Sequence, residues 1–118
     1  MPIAVATGSR RRNFDMKTGH LGHIFDLFEG NVVCGDDDTT GAMRGKPQPD
    51  IFLVAASQKL GRDVGPILGV SETIDLSPQQ LEERARGLVF EDGLPGMQAG
   101  KRAGMNGMTI SSPFPAVL

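Results

Sequence analysis

Apolar positions along the chain follow two rhythms. Short, mostly apolar runs at residues 3–6, 31–34, 88–90 and 108–110 predict strands, the first apolar throughout as a strand covered on both faces should be. Between them, apolar residues recur at helical spacing. Phe14, Thr18 and Leu21 fall on one face of a helix that Ser9 is placed to cap, and Gly19 and Gly22 mark its end. Ile24, Phe25, Leu27 and Phe28 form an apolar cluster expected to pack beneath a sheet. Pro47 and Pro49 open a helix carrying Ile51/Phe52, Ala55/Ala56 and Leu60, with Gly61 at its stop. Residues 61–76 read as a connection. Ser77-Pro78-Gln79-Gln80 has the spacing of a capping box and starts a helix that runs to Gly87. Pro95 opens the last helix, through Met97, Ala99 and Ala103, with Gly100 an unfavourable interior residue. Alternation of this kind predicts an α/β fold with a mostly parallel sheet and flanking helices, one domain over residues 1–110 followed by a loose tail at 111–118.

Composition narrows this picture. The chain has 118 residues, enough for one compact domain. It lacks Trp and Tyr and has six Phe, so the core must come from Val, Ile, Leu, Met, Ala and Phe; sixteen Gly and eight Pro point to many loops. A net charge of -2 gives no electrostatic draw toward nucleic acid or an anionic membrane. No run is long enough to cross a bilayer. Cys34 is the lone cysteine and the start lacks the pattern of a signal peptide, so a reducing, cytoplasmic setting is expected. Oligomeric state is left open.

Ligands of open parallel sheets bind at the carboxyl ends of strands, and three polar groups fall there. Thr7-Gly8-Ser9 follows the first strand, Gly45-Lys46-Pro47 lies beyond the second, and Glu91-Asp92-Gly93 follows the third. A hydroxyl with free backbone N–H groups donates to phosphoryl oxygens, a lysine brings a mobile positive charge, and one or two carboxylates are what Mg²⁺ usually takes from protein. Each group has a plainer reading: a helix cap, a solvated lysine, an acidic pair at a helix N-terminus. Their occurrence in order at one edge of the sheet favours the joint reading, a site for a small phosphorylated metabolite.

Residues 4–9, the run Gly45-Lys46-Pro47-Gln48-Pro49-Asp50-Ile51-Phe52 and the run Leu88-Val89-Phe90-Glu91-Asp92-Gly93-Leu94-Pro95-Gly96 resemble the second, third and fourth motifs of haloacid dehalogenase-like (HAD-like) hydrolases. Lys-Pro-x-Pro-Asp-x-Phe and Phe-Glu-Asp are similar to the branch containing phosphoglucomutase-like enzymes and sugar-phosphate phosphatases. The resemblance implies a Rossmannoid core and Mg²⁺-dependent phosphomonoesterase activity on a small nucleoside or sugar phosphate. It assigns Thr7 to hydrogen-bond the phosphoryl group with help from Gly8 and Ser9, and Lys46 to neutralise its charge. Asp92, with Glu91 as helper, would hold the metal. Positioning and electrostatics supply most of the catalysis in such chemistry.

One part of the pattern is missing. The family's first motif is an apolar strand ending in Asp-x-Asp-x-Thr or Val, whose first Asp attacks phosphorus and whose second serves as general acid and base. No such strand and no cap segment stands ahead of residue 3. That strand is central in the family's sheet, between those ending at Thr7 and Glu91, so an incomplete core without turnover of its own is expected. A non-catalytic phosphate- and Mg²⁺-binding relic, or a non-functional fragment, is the alternative. Asp36-Asp37-Asp38-Thr39-Thr40 matches Asp-x-Asp-x-Thr formally. The run before it is short and ends in Gly35, and Lys46 follows too soon, so it reads as an acidic, solvated loop. His20 and His23 lack a third ligand nearby and read as surface residues. Arg10-Arg11-Arg12 reads as a solvated helix start, although its charge opposes the helix dipole. Cys34 reads as a small buried apolar residue.

Overall fold

The computed structural model describes residues 2–69 and 75–110. The expected tail at 111–118 and the middle of the connection, 70–74, lie outside the described residues. The first strand, β1 (Val5–Ala6), pairs in parallel with β2 (Val32–Val33), Val5 opposite Val32 and Ala6 opposite Val33. A second pair, β3 (Leu88–Glu91) and β4 (Asn106–Thr109), is also parallel and runs in register from Leu88 opposite Asn106 to Glu91 opposite Thr109. Among the described residues these four strands make two separate two-stranded sheets, not one.

A buried helix joins them. α3 (Asp50–Val54) continues into a π-helical turn, Ala55–Lys59, and every residue from Asp50 to Ala55 is buried. An apolar stretch with no polar face belongs in a core. Ile51, Phe52, Leu53 and Val54 pack with Val33 of β2, Val64, Val89 of β3, and Ala99 and Ala103 of α5 (Leu94–Arg102). The predicted stop at Gly61 is present, with φ of +67°.

The capping box of α4 (Pro78–Ala85) forms as predicted. Ser77 Oγ accepts from the Gln80 N–H and Gln80 Oε1 accepts from the Ser77 N–H, each at 3.1 Å. In α5, Gly100 has a packing reason: a Cβ there would stand 3.2–3.3 Å from the Val89 side chain, so its absence lets the helix lie close on β3.

α1 (Arg11–Thr18) departs from expectation. Ser9 does not cap it; Arg10 holds the cap position without a side-chain bond. Asp36 Oδ1, 25 residues away, accepts from the Arg11 N–H at 2.7 Å. Short turns follow through α2 (Gly22–Phe25) and a 3-10 turn, Asp26–Phe28. The cluster expected beneath the sheet is divided. Phe25 is half-buried and meets Phe14 edge-on and Phe28 at a tilt, whereas Ile24 and Leu27 are exposed. β3 is not covered on both faces either, since Leu88 and Phe90 are 53% and 56% exposed. No helix among the described residues is long and apolar enough to cross a membrane.

Candidate active site

Lys46 stands between the two sheets. Its loop is closed by a Gln48 N–H donating to the Gly45 carbonyl at 3.0 Å. The ammonium donates to the Ala6 carbonyl of β1 at 3.4 Å and pairs with Glu91 Oε1 of β3, 5.1 Å from the centroid of the Phe52 ring. Both partners are mostly sequestered, with side chains 19% and 13% exposed, so the pairing is less screened than at an open surface. One lysine thus links the carboxyl-end tips of strands from separate sheets.

Two glycines make this geometry accessible. A Cβ on Gly96, in the first turn of α5, would overlap the Glu91 carboxylate. Its absence lets Glu91 lie across the helix start and reach Lys46. A Cβ on Gly35 would collide with the Gly8 carbonyl. The loops after β1 and β2 therefore touch backbone to backbone, tied by the Gly35 N–H donating to the Ser9 carbonyl at 2.8 Å.

Thr7 follows Ala6 and is half-buried; its Oγ1 accepts from the Ser9 N–H at 3.1 Å. A hydroxyl that accepts there keeps its own hydrogen for a ligand. Ser9 is committed at both backbone groups to Thr7 and Gly35, and Gly8 is exposed. Asp92, one residue beyond Glu91, is exposed at the tip. Lys46 and Glu91 are thus in direct contact, with Thr7 and Asp92 each one residue from a contact point. Glu91 serves here as counter-ion to Lys46.

Among the described residues no cluster of three or more His, Cys, Asp or Glu could cage a metal. Mg²⁺ needs no such cage, since it commonly takes one or two carboxylates and fills its octahedron with water and phosphate oxygens; the carboxylates at this tip are Asp92, which is exposed, and Glu91, which is engaged by Lys46.

The acidic loop is largely exposed, as expected, and is also tied down by hydrogen bonds. Asp36 holds the start of α1. Asp37 accepts from Arg11 Nε and Nη2 at 3.2 and 2.6 Å and from the Cys34 N–H at 2.8 Å. Asp38 accepts from the Thr40 hydroxyl at 2.7 Å and the Met43 N–H at 2.8 Å. Burial raises the Asp37 carboxyl, but the Arg11 and Cys34 hydrogen bonds outweigh it and hold it below the usual range. Arg11 is thus paired as well as partly solvated, its side chain 41% exposed, and the mismatch between its charge and the helix dipole is offset by Asp36 and Asp37. Arg10, Arg12, His20 and His23 are exposed, and Cys34 is buried, with its thiol pushed up by desolvation. An open cleft of about 450 Å³ adjoins this loop, lined in part by Arg11, Asp37, Asp38 and Lys59, but not by Thr7, Lys46, Glu91 or Asp92.

Two buried charges escaped the sequence reading. Asp50 is fully buried against Arg44. Arg84 of α4 donates to the carbonyls of Val64 at 2.7 Å and Pro66 at 3.1 Å. Asp50 carried one signal, its place in the Lys-Pro-x-Pro-Asp run; Arg84 carried none.

The α/β layout and a lysine–carboxylate site at strand tips agree with the family profile of haloacid dehalogenase-like hydrolases, which matches residues 1–104. The chain belongs to that family. It is 34% identical over 113 residues to a probable pseudouridine-5'-phosphatase of Saccharomyces cerevisiae, covering 96% of this chain and 41% of that protein. It is 41% identical over 106 residues to the mitochondrial (DL)-glycerol-3-phosphatase 1 of Arabidopsis thaliana, covering 90% and 28%. An uncharacterised protein of Schizosaccharomyces pombe is 38% identical over 104 residues, covering 88% and 37%. The chain spans well under half the length of each of these relatives.

Proposed function

We propose that these residues form the phosphate- and Mg²⁺-holding part of a phosphomonoesterase site for a small nucleoside or sugar phosphate, as in pseudouridine-5'-phosphatase-like enzymes. The observation that carries this is the Lys46 ammonium, bound to Ala6 of β1 and Glu91 of β3 at once. A phosphoryl group entering there meets the Lys46 charge, the Thr7 hydroxyl and the Gly8 N–H. Asp92, with Glu91 as helper, would hold Mg²⁺, which would supply positive charge to neutralise the phosphoryl oxygens.

On this reading the attacking carboxylate comes from a further strand between β1 and β3, and the 118 residues alone do not turn over. Alternation supports it. Val5 and Thr7 donate toward β2, so the amides of Ala4 and Ala6 point away. The Gly87 and Glu91 carbonyls accept from β4, so the amides of Leu88 and Phe90 point away. Among the described residues, both sheets thus present an edge without a strand partner.

Thermal melts with and without millimolar phosphate and Mg²⁺ test the binding half. A melting temperature that rises with ligand, and no longer rises in Lys46→Met, is expected; a wild-type melt indifferent to both ligands counts against it. The chain alone should leave an aryl phosphate intact. If it hydrolyses one and Asp36→Ala stops it, the acidic loop supplies the nucleophile.

A further inference from the structure

Asp50 is a fully buried carboxylate that the phosphate site does not use. We infer that it is a positioning residue, setting the place of Lys46 through Arg44; this rests on reading Lys46 as the cation that meets phosphate. Asp50 Oδ2 accepts from the Arg44 backbone N–H at 3.0 Å and from Arg44 Nε at 3.1 Å, while Oδ1 accepts from Nη2 at 2.8 Å. Oδ2 also accepts from the Gly69 N–H at 3.3 Å. A guanidinium fork on a carboxylate fixes both distance and plane, and here the backbone of the same arginine is gripped as well. Residue 44 is therefore held at two points by the first residue of the most deeply buried helix. Lys46 lies two residues on, a reach of about 7 Å at most. Gly45 between them has no Cβ to restrict it, and space around it is open. Sterics at that residue therefore do not set the direction of the loop. The clamp at 44 and the turn from 45 to 48 do.

Lysine acylation of the 118-residue chain, read by mass spectrometry, measures this, with the exposed Lys17, Lys59 and Lys101 as internal references. Asp50→Asn should raise Lys46 labelling several-fold relative to the references, and Arg44→Gln should do the same. Arg44→Lys should restore part of the protection, since lysine keeps a charge but loses the fork. Arg44 is 38% exposed at its side chain, but its loss strips the buried Asp50 carboxylate of its cation, so the double variant Asp50→Asn/Arg44→Gln, which removes both charges, decides the matter if either single variant does not melt cooperatively. Wild-type labelling of Lys46 in folded Arg44→Gln together with folded Asp50→Asn, or in the folded double variant, overturns the proposal, because the fork is then gone and the carboxylate that grips the backbone of residue 44 is neutral. Inorganic phosphate should shield Lys46 in the wild type. Its failure to do so removes the functional reading while leaving the labelling comparison to judge the clamp.

Discussion

At the scale of single residues, the site depends on carboxylates kept ionised and on backbones that touch. Burial raises the Asp50 carboxyl, but the Arg44 side chain and the N–H groups of Arg44 and Gly69 outweigh it, so it lies below the usual range, as Asp37 does. A folded-state value below the unfolded one gives stability that is present above the unfolded carboxylate range and lost as pH falls through the folded value. Melting temperature should therefore stay level, as far as these groups are concerned, from pH 7 to about 5 and fall below about 4. Asp50→Asn should flatten part of that acid limb while lowering stability at neutral pH. Circular dichroism melts across the range check it, and an unchanged acid limb removes Asp50 from the account. The loop contact makes a second comparison. Gly35→Ala drives a methyl into the Gly8 carbonyl and should cost about 1–3 kcal/mol, whereas Gly8→Ala meets open space and should cost far less. Urea midpoints of the two variants, measured side by side, test the difference.

At the scale of elements, what was legible was local and what was not was distant. α4 announced itself through Ser77, Pro78 and Gln80 because a capping box is written within four residues. Ser77→Ala should accordingly lower stability by about 1 kcal/mol, read as a shift of the urea midpoint with unchanged slope. α3 was legible for a similar reason, since Ile51, Phe52 and Ala55 repeat at helical spacing and Gly61 ends the run. α1 was misread at its start: Ser9 is a favoured cap by type, but Asp36 arrives from another loop and holds the Arg11 N–H, a pairing that no local rule contains. The candidate site divides the same way. Thr7, Lys46, Glu91 and Asp92 were each visible as polar residues at strand ends, whereas the ion pair of Lys46 with Glu91 spans 45 residues of sequence. Arg84 is the extreme case. A charged residue on an exposed-looking helix reads as solvated, yet its guanidinium is buried on the carbonyls of Val64 and Pro66, and desolvation lowers its pKa.

At the scale of the whole molecule, the sheet of β3 and β4 carries exposed apolar side chains. Residues opposite each other in a parallel pair share a face, so Phe90 and Met108 lie together, 56% and 51% exposed, with Leu88 on the same side at 53%. The opposite face of β3 is satisfied, because Val89 packs on α5 through Gly100. An apolar sheet face beside an unpaired edge favours association between molecules. Sedimentation velocity over a concentration series should show this chain associating as concentration rises. Replacing both Phe90 and Met108 with Lys should return it to a single monomer-sized boundary, with stability within about 0.5 kcal/mol of the parent because neither side chain is in the core. A monomer at every concentration would mean that the exposed face is too small to hold a second molecule. Association that survives the double substitution would place the contact at the unpaired backbone edges of β1 and β3, which no side-chain change on the face can close.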